Sequence, residues 1–532
     1  MSRARRSVHL FAATLAALAL LINAVGCGGQ AAAASIRGTP APAPQTATPA
    51  AAFLDSVGVN THLGYTNTPY AQSAPVQRAL QELGVRHVRE NFPVRPPAGY
   101  ADRIAALAGV GIRTQLTVGA VGRKKGQALT PVADVMTTIG SMPQLTGPVE
   151  AIEGPNEWDI RGGSDWPQQV RRYQETLHNA VRGDPRMTGV VVVAPALSRR
   201  FHRAELGNLD PYVDWGNNHT YSHGAPTVGE YADERTKEAT VSGGKPVVTT
   251  ETGYTSAVRA TDQKPPVTDA VAAVYIPRLF AAAFRSGTMR TFLYELLDER
   301  GEQGLTDEEA HFGLLYSDLT PKPAYTSLQR LLGLVTDGDS TGVAPSSFSY
   351  SVGSAAADHH ELLLSRRDGT LLLVMWRDIA VDRLGRGDDA RQLPIEVKFA
   401  RPVSQVDIHR PSLSAPPVTT LHNVADIRGN LGADLVVLRI DPRAPGSTAE
   451  PMAPVPHGGG RSARVLLGPA AAGQDAFGTS ARPEIGRVTF AHAPAPASHG
   501  DLVVPVLAVV AALVVAVGVV FAVVRRRRRH SS

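Results

Sequence analysis

The chain has 532 residues, with 53 Lys and Arg against 48 Asp and Glu, a formal net charge of +5 and one cysteine. A lone cysteine excludes an internal disulfide framework, so any folded part must be held by apolar cores, and the length allows more than one. The basic balance does not point to nucleic acid: Arg525–Arg529 and Arg3, Arg5 and Arg6 supply eight of the positive charges, and the remainder of the chain carries −3.

Residues 1–27 begin with those three arginines and run into an apolar stretch from Leu10 to Val25, the order of charge and hydrophobe in an export signal. Ala24-Val25-Gly26-Cys27 resembles a lipoprotein processing box, with Ala24 where Leu is usual, and Ala31 to Ser35 offers an ordinary signal peptidase an alternative. Residues 28–52, rich in Ala, Pro and Thr, lack periodicity and read as a spacer.

From 53 to 335 short β-type runs alternate with helical patterns, which is the signature of βαβ units. The runs are Val57–Asn60, His87–Glu90, Ile112–Val118, Val149–Glu153, Val190–Ala194, Val213–Tyr221, Pro246–Glu251 and Thr291–Glu295. Helices are expected over Val76–Leu83, Tyr100–Leu107, Pro131–Ile139, Pro167–Val181, Val228–Ala239, Asp269–Arg285 and Pro323–Leu332. Eight units in roughly 280 residues fit a closed (β/α)8 TIM barrel, and the absence of a Gly-x-Gly-x-x-Gly turn after the first run disfavours a dinucleotide fold.

Over 340–443 the period becomes two, and seven short runs predict a small all-β sandwich that packs on the barrel. Residues 444–501, rich in Pro, Ala and Gly, read as a second spacer. Leu502 to Val524 is uncharged and long enough, at ~1.5 Å per residue, to cross a bilayer as a helix. The basic tail 525–532 then marks the cytoplasmic flank, so a single-pass cell-membrane protein with its folded part on the extracellular face is expected.

In such a barrel the reactive groups gather where strands end. There the sequence places Arg89-Glu90-Asn91, Asn156-Glu157-Trp158, His219-Thr220-Tyr221, Glu251-Thr252-Gly253-Tyr254 and Tyr294-Glu295. Cleaving a glycosidic bond needs one carboxylic acid to protonate the leaving oxygen and a second carboxylate across the sugar ring. Glu157 and Glu251 are placed to be that pair, with Arg89 as the cation that keeps the nucleophile ionised.

These segments resemble clan A of the glycoside hydrolases, whose acid/base follows strand four and whose nucleophile follows strand seven. Asn156-Glu157 is similar to the clan's Asn-Glu pair, Thr250-Glu251-Thr252-Gly253-Tyr254 to its nucleophile strand, Arg89 to its strand-two arginine, and His219 and Tyr221 to its strand-six His-x-Tyr. Phe312-Gly313-Leu314-Leu315 and Lys322-Pro323-Ala324-Tyr325 resemble the closing segment of cellulase-like and β-xylosidase-like members.

The resemblance implies a retaining hydrolase of extracellular oligo- or polysaccharides, with Glu157 as acid/base and Glu251 as nucleophile. Asn156, Arg89, His219, Tyr221, Trp158, Tyr294, Glu295 and His62 are the expected substrate-binding residues. Strand eight departs from the clan, having Tyr294 and Glu295 where a Trp platform is usual. Trp166 and Trp215, like Trp158, are candidates for stacking on sugar rings, with core packing as the competing role.

Glu90, Glu153, Glu295, Asp298 and Glu299 are competing carboxylates, of which Glu153, inside its strand, is expected to form an internal ion pair. No cofactor is implied. No His-Glu-x-x-His or Cys pair suggests a metal, Asp358-His359-His360-Glu361 reads as a solvated loop, and no Gly-x-Ser-x-Gly elbow follows a strand. A catalytically silent glycan-binding surface protein and a transglycosylase remain the alternatives.

Overall fold

The computed structural model describes residues 36, 38–119, 128–226, 230–261, 265–336, 347–381 and 392–444, and the backbone of 461–464. The signal segment 1–27, the membrane span 502–524 and the basic tail 525–532 lie outside the described residues. Among the described residues no helix is long and apolar enough to cross a membrane.

Two short strands come first, β1 (Ala43–Thr46) and β2 (Thr48–Pro49), followed by helix α1 (Ala50–Asp55). The barrel follows in βα order. Its first half is β3 (Val57–Thr61), α2 (Ser73–Leu83), β4 (His87–Asn91), α3 (Tyr100–Gly109), β5 (Arg113–Thr117), α4 (Val132–Gly140), β6 (Val149–Glu153) and α5 (Trp166–Gly183). The second half is β7 (Val191–Val193), α6 (Arg203–Leu206), β8 (Gly216–His219), α7 (Glu230–Ser242), β9 (Val247–Thr252), α8 (Asp269–Arg285), β10 (Arg290–Leu293) and α9 (Pro323–Val335).

All eight expected strands form, and they make one parallel sheet in the order β7-β6-β5-β4-β3-β10-β9-β8. A parallel bridge from Val193 to Trp215 brings the two ends together and closes the barrel. Local chemistry supports each unit: Gly84 ends α2 in the left-handed region at φ +87°, and Thr268 caps α8 by accepting from Val271 N at 3.2 Å. Gly58 is required by packing, since a Cβ there would lie 2.5 Å from the Phe292 ring of the neighbouring β10.

The remaining strands, β11 (Ser347–Ser354), β12 (His359–Ser365), β13 (Leu371–Arg377), β14 (Leu393–His409), β15 (Thr419–Leu431), β16 (Val436–Asp441) and β17 (Arg461–Arg464), join β1 and β2 in a second sheet. Here the structure departs from the expected seven-strand sandwich. The runs Ile395–Phe399 and Val406–His409 are one strand, β14, whose pairing with β15 shifts register between Lys398 and Val403. Pro402, which lacks a backbone N–H, and the exposed Ala400-Arg401 broke the period-two pattern and made one bent strand read as two. Nine strands therefore form one hydrogen-bonded sheet rather than two, folded over a core that includes Phe348, Leu373, Val397, Val406, Ile427 and Leu438.

Both spacers need correction where they are described. Residues 43–46 pair antiparallel with 347–350, and 48–49 pair in parallel with 364–365, so the end of the 28–52 segment belongs to the sheet. The backbone of 461–464 pairs with β15. These pieces carry too little apolar periodicity to be read as strands, and a partner distant in sequence supplies their order. The Asp358-His359-His360-Glu361 run is likewise built in: Asp358 pairs with Arg377 at 2.9 Å and His360 with Asp378 at 2.8 Å.

The outer face of the second sheet, through Leu364, Leu372, Trp376 and Leu435, shares one apolar cluster with Tyr275 and Leu279 of α8 and Leu328 of α9. Arg278 bolts this seam. It is wholly buried and donates from Nη1 to the carbonyls of Ile379 at 3.1 Å and Ala433 at 3.0 Å, with Asp378 3.7 Å from Nη2. Removing it strips two buried carbonyls of their donor and the Asp378 carboxylate of a neighbouring positive charge. Arg278→Ala is expected to cost about 3 kcal/mol or more of unfolding free energy, measured by denaturant titration.

Candidate active site

The polar residues that the sequence places at strand ends converge at the C-terminal mouth of the barrel. At their centre is Arg89 of β4, buried beneath the mouth. Its Nε and Nη2 donate to the two oxygens of Glu153 at 2.7 and 2.8 Å, forming a bidentate pair. Nη1 donates to Glu251 Oε1 at 2.8 Å and to Asn60 Oδ1 at 2.9 Å, while Nη2 also reaches Asn156 Oδ1 at 2.7 Å. Burial opposes the guanidinium charge, but Glu153 and Glu251 outweigh it and raise its pKa further above the ordinary arginine value.

Glu153 is fully buried and held by further donors, Gln115 Nε2 at 2.8 Å, Thr117 Oγ1 at 3.1 Å and Asn217 Nδ2 at 3.1 Å. It anchors Arg89 and offers no open face to a ligand. Glu251, at the end of β9, is held from two sides, with Arg89 on Oε1 and the Tyr221 hydroxyl donating to Oε2 at 3.0 Å. Burial pushes the Glu251 carboxyl up, but His219 and Arg89 overcome it and hold the pKa below the ordinary glutamate range.

Glu157 follows β6 on a backbone with φ 49° and ψ 39°, a left-handed conformation that a non-glycine residue adopts at a cost of about 1–2 kcal/mol. The local fold maintains it through Glu157 N, which donates to Ala196 O at 3.0 Å. The twist points the side chain to His219, whose Nδ1 lies 3.0 Å from Glu157 Oε1 and 3.5 Å from Glu251 Oε2. Burial works against a charge on His219, yet the two carboxylates prevail and its pKa is raised. One oxygen of Glu157, one of Glu251 and a ring nitrogen of His219 all lie within 4.8 Å of one another.

A second group lies at the ends of β3 and β10. Glu295 is fully buried and accepts from the Tyr70 hydroxyl at 2.9 Å, and His62 Nε2 lies 3.4 Å from it and 3.7 Å from Glu299. The His62 ring stacks on Tyr65 with centroids 4.6 Å apart. Burial, reinforced by Glu299, pushes the Glu295 carboxyl well above its ordinary range. Tyr294 joins Tyr221 and Phe312 in a small aromatic cluster that links this group to the Glu251 side, and the Tyr294–Glu295 peptide bond is cis.

Each group has one imidazole and two carboxylates, a set that could ligate a cation.

The structure thus brings together Arg89, Asn156, Glu157, His219, Tyr221 and Glu251, and places His62, Tyr294 and Glu295 beside them. Trp158 does not belong with these. It is buried in a cluster with Trp166 and Val170, and its indole N–H donates to Gln169 Oε1 at 2.6 Å, which gives it a packing role. Trp166 has the same core role, and Trp215 precedes β8 at the opposite end of the barrel, under Arg290.

The sequence reading missed Asn60, Tyr70, Gln115, Asn217 and Thr250. Asn217, Gln115 and Thr250 stand inside fully buried strand segments, and an uncharged polar residue in such a run was the available signal. Thr250 Oγ1 donates to Asn217 Oδ1 at 2.8 Å, extending the network that holds Glu153.

The sequence matches no protein-family model and no curated protein. Among solved structures, the GH39 enzyme from Xanthomonas axonopodis pv. citri is 14% identical with a TM-score of 0.51, covering 79% of this chain and 100% of that one. This likeness shows the fold, a (β/α)8 barrel followed by a region of β-sheet. More distant are a monomeric β-xylosidase from Caulobacter crescentus CB15, 13% identical, covering 76% and 98% with a TM-score of 0.47, and an active-site mutant of a Rhizomucor miehei β-1,3-glucanosyltransferase, 18% identical, covering 50% and 96% with a TM-score of 0.39.

The charges of the mouth set the pH dependence of stability. Glu251, with its pKa depressed, contributes stability above the unfolded carboxyl pKa that is lost as pH falls through its folded value. His219, with its pKa raised, contributes below the unfolded imidazole pKa and loses that contribution as pH rises through its folded value. Glu295, with its pKa raised above the unfolded carboxyl value, also favours the fold less as pH rises. Thermal unfolding followed across pH should show Tm falling on the acid side as Glu251 takes up a proton and declining toward alkaline pH as Glu295 and His219 lose theirs.

Proposed function

We propose that the protein is a retaining glycoside hydrolase acting by double displacement. The observation that carries the reading is the approach of Glu157 and Glu251 to within 4.8 Å, one oxygen to another, with the second held ionised by Arg89 and Tyr221. A separation near ~5 Å leaves no room for a water between carboxylate and sugar, and it is the spacing that retention of configuration requires.

In the first step Glu251 attacks the anomeric carbon, the glycosidic C–O bond breaks, and Glu157 gives its proton to the leaving oxygen. In the second, Glu157 takes a proton from water, whose oxygen displaces Glu251 and releases the sugar. His219 keeps the two carboxyl groups in register without being consumed. Asn156, fixed on Arg89, faces the same opening, and His62, Tyr294 and Glu295 would contact the sugar from strands one and eight.

The substrate is an oligo- or polysaccharide met outside the cell, and the 502–524 segment would hold the enzyme on the membrane. Both statements rest on the sequence of the two ends.

Incubation of the full chain with a panel of aryl β-glycosides and of bacterial and plant glycans should release sugar, with the anomer first formed, read by NMR, matching the configuration of the bond cleaved. Glu251→Gln should lower turnover by at least about 10³-fold and Glu157→Gln by about 10²–10⁴-fold, with the fold retained in both. An inverted first product would refute double displacement, and full turnover in either variant would remove that residue from the chemistry.

A further inference from the structure

Beside Glu157 lies a cleft of about 900 Å³ that the chemistry above leaves unused. Its lining includes Leu129, Ile160, Arg161, Gly162, Arg172 and Tyr173. The floor is the segment that follows Glu157 directly, and the wall is α5. Gly162 is required by packing, since a Cβ there would meet the Trp158 ring at 2.3 Å, and Gly163 sits at φ +74°.

The charge of the cleft is one-sided. Arg161 and Arg172 line it, and no acidic residue does so among the described residues. Arg161 spans from the cleft to the catalytic pair, its Nη2 lying 3.9 Å from Glu157 Oε2. Arg172 is exposed on α5. Between them Leu129 and Ile160, the latter 37% exposed, offer an apolar surface on which a sugar ring can rest.

In double displacement the sugar under attack lies against the nucleophile, and the group that departs lies on the side of the acid. We infer that this cleft receives the departing part of the substrate, and that this part bears an anionic group, a carboxylate, sulfate or phosphate, held by Arg161 and Arg172. Guanidinium suits that task because its planar donors match two oxygens at once, and the apolar floor lets the ring ride beside the charge. The inference rests on Glu157 as proton donor.

Calorimetric titration of the full chain with a hexuronate trisaccharide, a sulfated trisaccharide, a phosphorylated trisaccharide and the neutral cellotriose tests it. At least one anionic trimer should bind about tenfold or more tighter than cellotriose, and Arg172→Gln should weaken that binding about tenfold. The trimer that binds names the anion. Equal binding of charged and neutral trimers, or binding indifferent to Arg172→Gln, would overturn the inference and leave the hydrolase reading standing. Absence of turnover on every glycoside would instead strike the hydrolase reading itself, while the titration still reports on the cleft.

Discussion

The buried guanidinium of Arg89 is the constraint around which the barrel mouth is organised. It binds two carboxylates from opposite parts of the barrel, Glu153 on β6 and Glu251 on β9, together with two asparagine oxygens. Breaking such a buried pair costs on the order of 3–5 kcal/mol, because an uncompensated charge is left in a dry interior. The site is therefore also a structural device. Glu153 fixes the arginine, the arginine fixes Glu251 and Asn156, and the acid and nucleophile stay at their working distance without a ligand to hold them.

This arrangement divides the carboxylates of the mouth by environment. Burial pushes Glu251 up, but His219 and Arg89 overcome it and hold the carboxyl below its ordinary range, whereas burial, reinforced by Glu299, pushes Glu295 well above it. Two carboxyls within a single opening are thus driven in opposite directions by their surroundings.

The barrel was legible in the sequence because short β-type runs alternate with helical patterns along the chain, so period and order together specify it. The mouth was legible where charged or aromatic residues end those runs, as at Arg89, Glu157, His219 and Glu251. What stayed hidden depends on tertiary partners. β1 and β2 look like spacer because their order comes from strands some 300 residues away. β14 looked like two strands because Pro402 interrupts it. Trp158 looked like a platform because adjacency to Glu157 in sequence says nothing about the side to which a left-handed backbone turns the next ring.

The pairing of residues 43–46 with 347–350 makes the second sheet a clasp closed by both ends of the fold. The first piece of that sheet to be synthesised must wait for the whole barrel before its partner exists. Closing so long a loop costs entropy that only the finished structure repays, which slows folding and delays completion of the sheet until the chain is whole. A polypeptide with that order of assembly keeps its first strand without a partner until its last ones are in place.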